Sequence, residues 1–288
     1  MSARALFANE DGRIRAGWRV LIFIIVFLFC FTVAAVAEYG LTIMAESRGY
    51  RPLVAQWSFP LSLVVAHWIV LRWIENGSWD YVALGRKAAR PQLMIGGLAL
   101  GVLAIGIPSL LLIAAGQLAI RPMPDGSSTG VAAIALANLL PAAFGEEMLL
   151  RGYIFAALRD GIGWKWTLIV TSIVFGLMHM INPGADAQSI LLVILAGFFL
   201  GSILLATRSL YAAGMVHFGW NWAMAAGMHT PVSGIRVQTP DYRVIDNGPD
   251  WLTGGQWGPE GGFPSALAMF VVMIYIYSRY LRRMEPGA

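Results

Sequence analysis

Three stretches of the chain place chemistry-bearing side chains inside apolar sequence: Gly145-Glu146-Glu147-Met148-Leu149-Leu150-Arg151, Phe175-Gly176-Leu177-Met178-His179 and His217-Phe218-Gly219-Trp220-Asn221. An ionisable side chain at the centre of a membrane helix costs roughly 3 kcal/mol on insertion scales, so such groups face the protein interior, pair with one another, or mark a pathway or site. Helical phase sorts them. Glu147 and Arg151 are four apart and share a face, where an ion pair lowers the insertion cost of both. Glu146 is turned about 100° from Glu147 and must find its partner across the bundle. His217 and Asn221 are also four apart, which aims two hydrogen-bonding side chains at a common point.

A carboxylate beside two imidazoles and an amide suits hydrolysis. Glu146 could take a proton from water while His217 and Asn221 donate towards the developing oxyanion, with His179 holding the water or shuttling the proton. The same atoms could hold zinc through Glu146, His179 and His217, with Glu147 then the base. No His-Glu-x-x-His sequence is present to favour the metal.

Membrane helices must position these groups. Of 288 residues, 58% are hydrophobic and 12% charged, whereas a soluble domain carries about a quarter charged residues. The pattern predicts an all-α polytopic membrane protein, a single domain with spans near 18–38, 55–74, 93–119, 131–158, 165–182, 188–207, 210–229 and 265–282, each long enough for a hydrocarbon layer of about 30 Å. Within it, 1–130 supplies three helices, 131–225 the core with the motifs, 230–264 a Gly/Pro/Trp-rich loop, and 265–288 the last helix and tail. The run from Val20 to Ala37 exceeds a signal core of about 7–15 residues, so a retained anchor fits better than a cleaved signal.

Positive flanks stay cytoplasmic. With the N-terminus inside, fifteen of the twenty Lys and Arg fall on that side: Arg4, Arg13, Arg15, Arg19, Arg72, Arg86, Lys87, Arg90, Arg151, Arg159, Lys165, Arg208, Arg279, Arg282 and Arg283; Arg48, Arg51, Arg121, Arg236 and Arg243 fall outside. Both termini are therefore expected in the cytoplasm of a multi-pass cell-membrane protein, the inner membrane in a bacterium. No basic run suggests nucleic acid, and no feature assigns an oligomeric state. The lone Cys30 offers neither a disulfide nor a thiolate metal site. Counting from the cytoplasmic charges puts Glu146 and His179 about 20 Å along their helices, and His217 and Asn221 about 14 and 20 Å, so the four can meet at one level.

Other features read more simply. Gly97-x-x-x-Gly101 and Gly197-x-x-x-Gly201 let helices pack closely. Trp18, Trp57, Trp73, Trp164 and Trp166 suit span ends. His67 reads as a satisfied interior or water-facing histidine, His229 as interfacial, Phe175 as core, and Asn138 as a partner for backbone groups freed by Pro141. The 230–264 segment, on the outer side by the charge count, reads as an irregular solvated loop; its Trp251 and Trp257 could alternatively cap a cavity.

Glu146-Glu147-x-x-x-Arg151, Phe175-x-x-x-His179 and His217-x-x-x-Asn221, in this order on hydrophobic helices and extended by Arg151-Gly152-Tyr153, resemble the CAAX prenyl protease type II and bacteriocin-processing (Abi, or CPBP) family of intramembrane proteases. The likeness covers roughly 131–225. It implies Glu146 as the glutamate that activates water, Glu147 and Arg151 as its supporting pair, His179 as a second catalytic group, and His217 with Asn221 as oxyanion stabilisers. It also implies a membrane protein or peptide as substrate, and leaves both a zinc and a metal-independent mechanism open. Two other classes fit the residues alone: a proton-coupled transporter, though no internal repeat supports it, and a non-catalytic scaffold or immunity protein of the same fold.

Overall fold

A computed structural model describes residues 7–8, 12–49, 57–123, 130–236 and 241–282. Arg4, Arg51 and Arg283 of the charge count, residues 55–56 of the second expected span and the tail 283–288 lie outside these. The chain is an all-α polytopic membrane protein built on eight principal helices: α1 (Ala16–Glu46), α2 (Ser58–Trp73), α3 (Pro91–Ala114), α4 (Val131–Arg151), α5 (Tyr153–Met178), α6 (Ala187–Thr207), α7 (Leu210–Trp222) and α8 (Phe263–Ile276). By length and apolarity, five stretches of the described residues can cross a bilayer: Ala16–Glu46, Pro91–Ala114, the continuous Val131–Met178, Ala187–Thr207 and Phe263–Leu281. The remaining two helices, α2 and α7, are shorter, at 16 and 13 residues. Large apolar side chains such as Phe29, Val36, Ile95, Leu110 and Leu111 point outward, as lipid-facing surface requires.

The helix boundaries depart from the expected spans where specific contacts intervene. The fourth span was expected to run from 131 to 158, but α4 ends at Arg151. Gly152 is non-helical (φ −81°, ψ −119°), and a Cβ there would lie 2.3 Å from both His67 Nε2 and the Met148 carbonyl oxygen. His67 is buried and fully satisfied. Its Nδ1 lies 2.7 Å from the Leu63 carbonyl, and its Nε2 accepts the Tyr153 N–H at 3.0 Å, satisfying a donor that a helix start leaves orphaned. A second bend follows within α5 at Gly163, whose φ of +76° suits glycine. The third span stops at Ala114, because Leu118–Pro122 forms a strand, β1, paired antiparallel with β2, Tyr242–Asp246.

Glycines set the closest packing. A Cβ on Gly97 would lie 2.7 Å from the Ala212 carbonyl oxygen, on Gly101 2.1 Å from that of Val216, and on Gly219 2.6 Å from that of Leu98. The α3 and α7 backbones therefore touch, and only glycine permits it. Gly197 does the same for α6 against α5, meeting the Ser172 backbone, and Gly201 makes room for the Leu168 side chain. At the end of the bundle where α1 begins, a polar cluster ties α1, α2 and α5. There Arg19 pairs with Glu75 at 2.7 Å and Asp160 at 3.3 Å, Tyr153 donates to Glu75 at 2.5 Å, and Tyr81 donates to Asp160 at 2.7 Å.

The 230–264 segment corrects the expectation of a solvated loop. Trp257 is buried, although Trp251 is exposed. The Gly234 N–H donates to the Trp257 carbonyl at 3.1 Å, and Gln188 donates to the Gly261 carbonyl at 2.7 Å. Short turns and glycine approaches fold its described residues onto the ends of α5, α6 and α7.

Candidate active site

Glu147 lies at the centre of a buried network. Its Oε1 is 3.1 Å from Arg151 Nη1, one turn on, and also 3.1 Å from His217 Nδ1 on α7. Both acid and guanidinium side chains are fully buried. Arg151 spends Nη2 on the Gly197 carbonyl at 3.2 Å and lays its guanidinium 4.2 Å over the Phe175 ring. Phe175 is thus more than core filling, since its ring also meets those of His179 and His217 edge-on.

Hydrogen bonds on one side of each imidazole decide what the other side offers. Glu147 is an acceptor, so His217 Nδ1 carries the hydrogen and Nε2 of the neutral ring keeps its lone pair. His179 caps the C-terminus of α5 rather than lying within the span, as expected from sequence. Its Nδ1 lies 2.8 Å from the Phe175 carbonyl, which leaves Nε2 free by the same logic. Both Nε2 atoms stand 3.9 Å from Oε2 of Glu146. That oxygen is buried and makes no hydrogen bond.

Glu146 faces away from the Glu147–Arg151 pair, as its helical phase requires. Asn221, one turn beyond His217, lines a cavity of about 40 Å³ together with His179, His217, Phe175, Ser233 and Glu260. This is room for a water or two, a single water needing at least ~10–15 Å³. Helices α4 and α7 and the C-terminal end of α5 carry the four groups read from sequence, with Glu146 beside the two histidines that line the cavity. The same cavity holds a carboxylate that the sequence reading did not single out, Glu260.

Residues 128–223 match the family model of the Rce1-like type II CAAX prenyl endopeptidases. The segment contains all three motifs, and the resemblance drawn from them is borne out. The matched family is one of proteases, and the apolar helices around the match make this a multi-pass membrane protein. Comparison with curated proteins and with solved structures finds no match.

Two imidazole nitrogens and a carboxylate have the right chemistry for zinc. Their spacing is wide for it: ligands at about 2.0–2.1 Å around a tetrahedral ion stand roughly 3.3–3.4 Å apart, against 3.9 Å here. Among the described residues no group of three or more His, Cys, Asp or Glu is arranged to hold a metal. To share one ion, these side chains would have to draw together.

Proposed function

We propose that the protein is an intramembrane endopeptidase that hydrolyses a peptide bond of a membrane-associated protein or peptide, using water activated by Glu146 without a metal. The observation that carries this reading is the unbonded Glu146 Oε2 standing 3.9 Å from two imidazole Nε2 atoms. One water about 2.8 Å from each partner can donate one hydrogen to Glu146 and the other to one of the two Nε2 atoms.

In this reading Glu146 takes a proton from the water, and the oxygen forms a bond to the scissile carbonyl carbon. The developing oxyanion meets the amide of Asn221 and the Nε2–H of His217, whose ring enters the step already protonated from solvent and keeps that proton throughout. Glu147 behind the ring balances the charge of an imidazolium. Collapse breaks the C–N bond, and the proton held by Glu146 passes to the leaving amine. The charge count supports cytoplasmic termini, with 230–264 on the outer face.

The test is cleavage of peptide libraries, including C-terminally prenylated peptides, by purified wild type and Glu146→Gln, read by mass spectrometry with and without chelator. Cleavage lost in the variant and retained with chelator is expected. Equal cleavage by both proteins would sink the reading, and chelator-sensitive cleavage would replace the water-only mechanism with zinc.

A further inference from the structure

The 230–264 segment delivers one carboxylate to the cavity. Glu260, in the turn Pro259–Gly261, is the only acidic side chain among the cavity's lining residues. Its Oε1 accepts both the Ser233 N–H and the Ser233 hydroxyl, the latter at 3.0 Å, and its Oε2 accepts the Trp220 indole N–H at 2.9 Å. A carboxylate has about four lone-pair sites. Three are used here, so one on Oε2 remains.

Anchoring the segment does not require this acid. Gln188 holds Gly261, Asn182 donates to the Ser233 carbonyl at 3.0 Å, and Gly234 donates to the Trp257 carbonyl. Keeping a carboxylate here is costly: burial pushes the Glu260 carboxyl above its ordinary range despite three donors and the nearby His179. A buried acid that packing does not need, facing a cavity with catalytic-type groups, marks a functional position.

A peptide drawn against such a space loses water from its backbone N–H groups, and each one left unpaired is penalised. His179 and His217 direct their Nε2 atoms towards Glu146. We propose that Glu260 is a substrate-positioning residue whose remaining Oε2 lone pair accepts a backbone N–H of the peptide as the scissile bond reaches Glu146. This rests on the peptidase reading above.

The experiment uses the full-length protein and has two arms. In the first, wild type and Glu260→Ala are compared on a cleaved peptide and on analogues N-methylated at single backbone positions. One lost hydrogen bond should raise KM about tenfold with kcat changed less than about threefold, and the analogue that wild type handles worst should be no worse than its parent for the variant. Unchanged KM overturns the proposal, as does a raised KM with full discrimination retained. In the second arm, the Kd of a library peptide selected for binding to Glu146→Gln is measured in that background with and without Glu260→Ala, where no turnover is needed. A Kd weakened about tenfold supports the proposal, and an equal Kd overturns it. Failure of wild type to cleave any peptide counts against the peptidase reading alone, because the binding arm still decides the role of Glu260. Glu260→Gln, which keeps an acceptor for Ser233, should restore thermal stability lost in Glu260→Ala.

Discussion

His217 Nδ1 lies 3.1 Å from Oε1 of Glu147, the same oxygen that Arg151 Nη1 meets at 3.1 Å. One buried carboxylate thus fixes the orientation of an imidazole on another helix and balances a guanidinium on its own. The division of labour between neighbouring glutamates follows: Glu147 Oε1 ties two partners together while its Oε2 is buried without one, and Glu146 turns its own unbonded Oε2 towards two imidazoles.

Glu147→Gln should expose that division. An amide can still hydrogen-bond His217 Nδ1 but carries no charge, so the imidazolium that donates to the oxyanion loses its balancing carboxylate. Peptide cleavage is expected to fall by roughly 100-fold or more while the protein still purifies as a folded species. Undiminished cleavage would show that the Glu147 charge behind His217 is irrelevant.

Removing Arg151 should be a folding lesion. Arg151→Met leaves Glu147 buried with its main counter-charge gone, a loss of about 3–5 kcal/mol, whereas replacing both partners with apolar residues costs much less. Unfolding in mild detergent should therefore rank Arg151→Met below the double variant Glu147→Leu, Arg151→Met. The reverse order would contradict the buried-pair account.

His67 offers a separate check on the break between α4 and α5. His67→Phe keeps a ring but strands the Tyr153 N–H, so about 1–3 kcal/mol of stability should be lost. Equal unfolding midpoints for variant and wild type would mean that this N–H finds another partner.

Asp186 caps α6, accepting the Ser189 N–H at 2.7 Å while Ser189 receives the Asp186 N–H in return at 2.8 Å. These bonds lower its carboxyl below the ordinary value of 3.8. The cap contribution is present above that value and is lost as pH falls through the lower folded-state value. Asp186→Ala should cost about 1 kcal/mol at neutral pH, with the gap to wild type closing in acid. A gap that stays constant down to pH 2 would rule out the charged cap.

Much of the geometry was legible from helical phase. Spacing of four put Glu147 with Arg151 and His217 with Asn221, and the 100° offset of Glu146 turned it towards His179 and His217. Glycine spacing likewise marked the close faces of α3 and α6. What escaped depends on contacts with no local signature. The break at Gly152 requires His67 from another helix, and β1 requires a partner more than a hundred residues away. Glu260 sits among glycines and prolines, where no periodicity reports direction, and its place is set by Ser233 and Trp220. The 3₁₀ and left-handed turns that deliver it are choices of tertiary packing.

The glycine contacts between α3 and α7 bear on how such a site can move. With the backbones of α3 and α7 meeting at Gly97, Gly101 and Gly219, α7 cannot slide or roll without driving carbonyl oxygens into the neighbouring chain. The helix that carries His217 and Asn221 behaves as an anvil. Any rearrangement that admits a peptide must come from the elements facing it, and α3, which bears no reactive group, sets the height at which the imidazole and the amide wait.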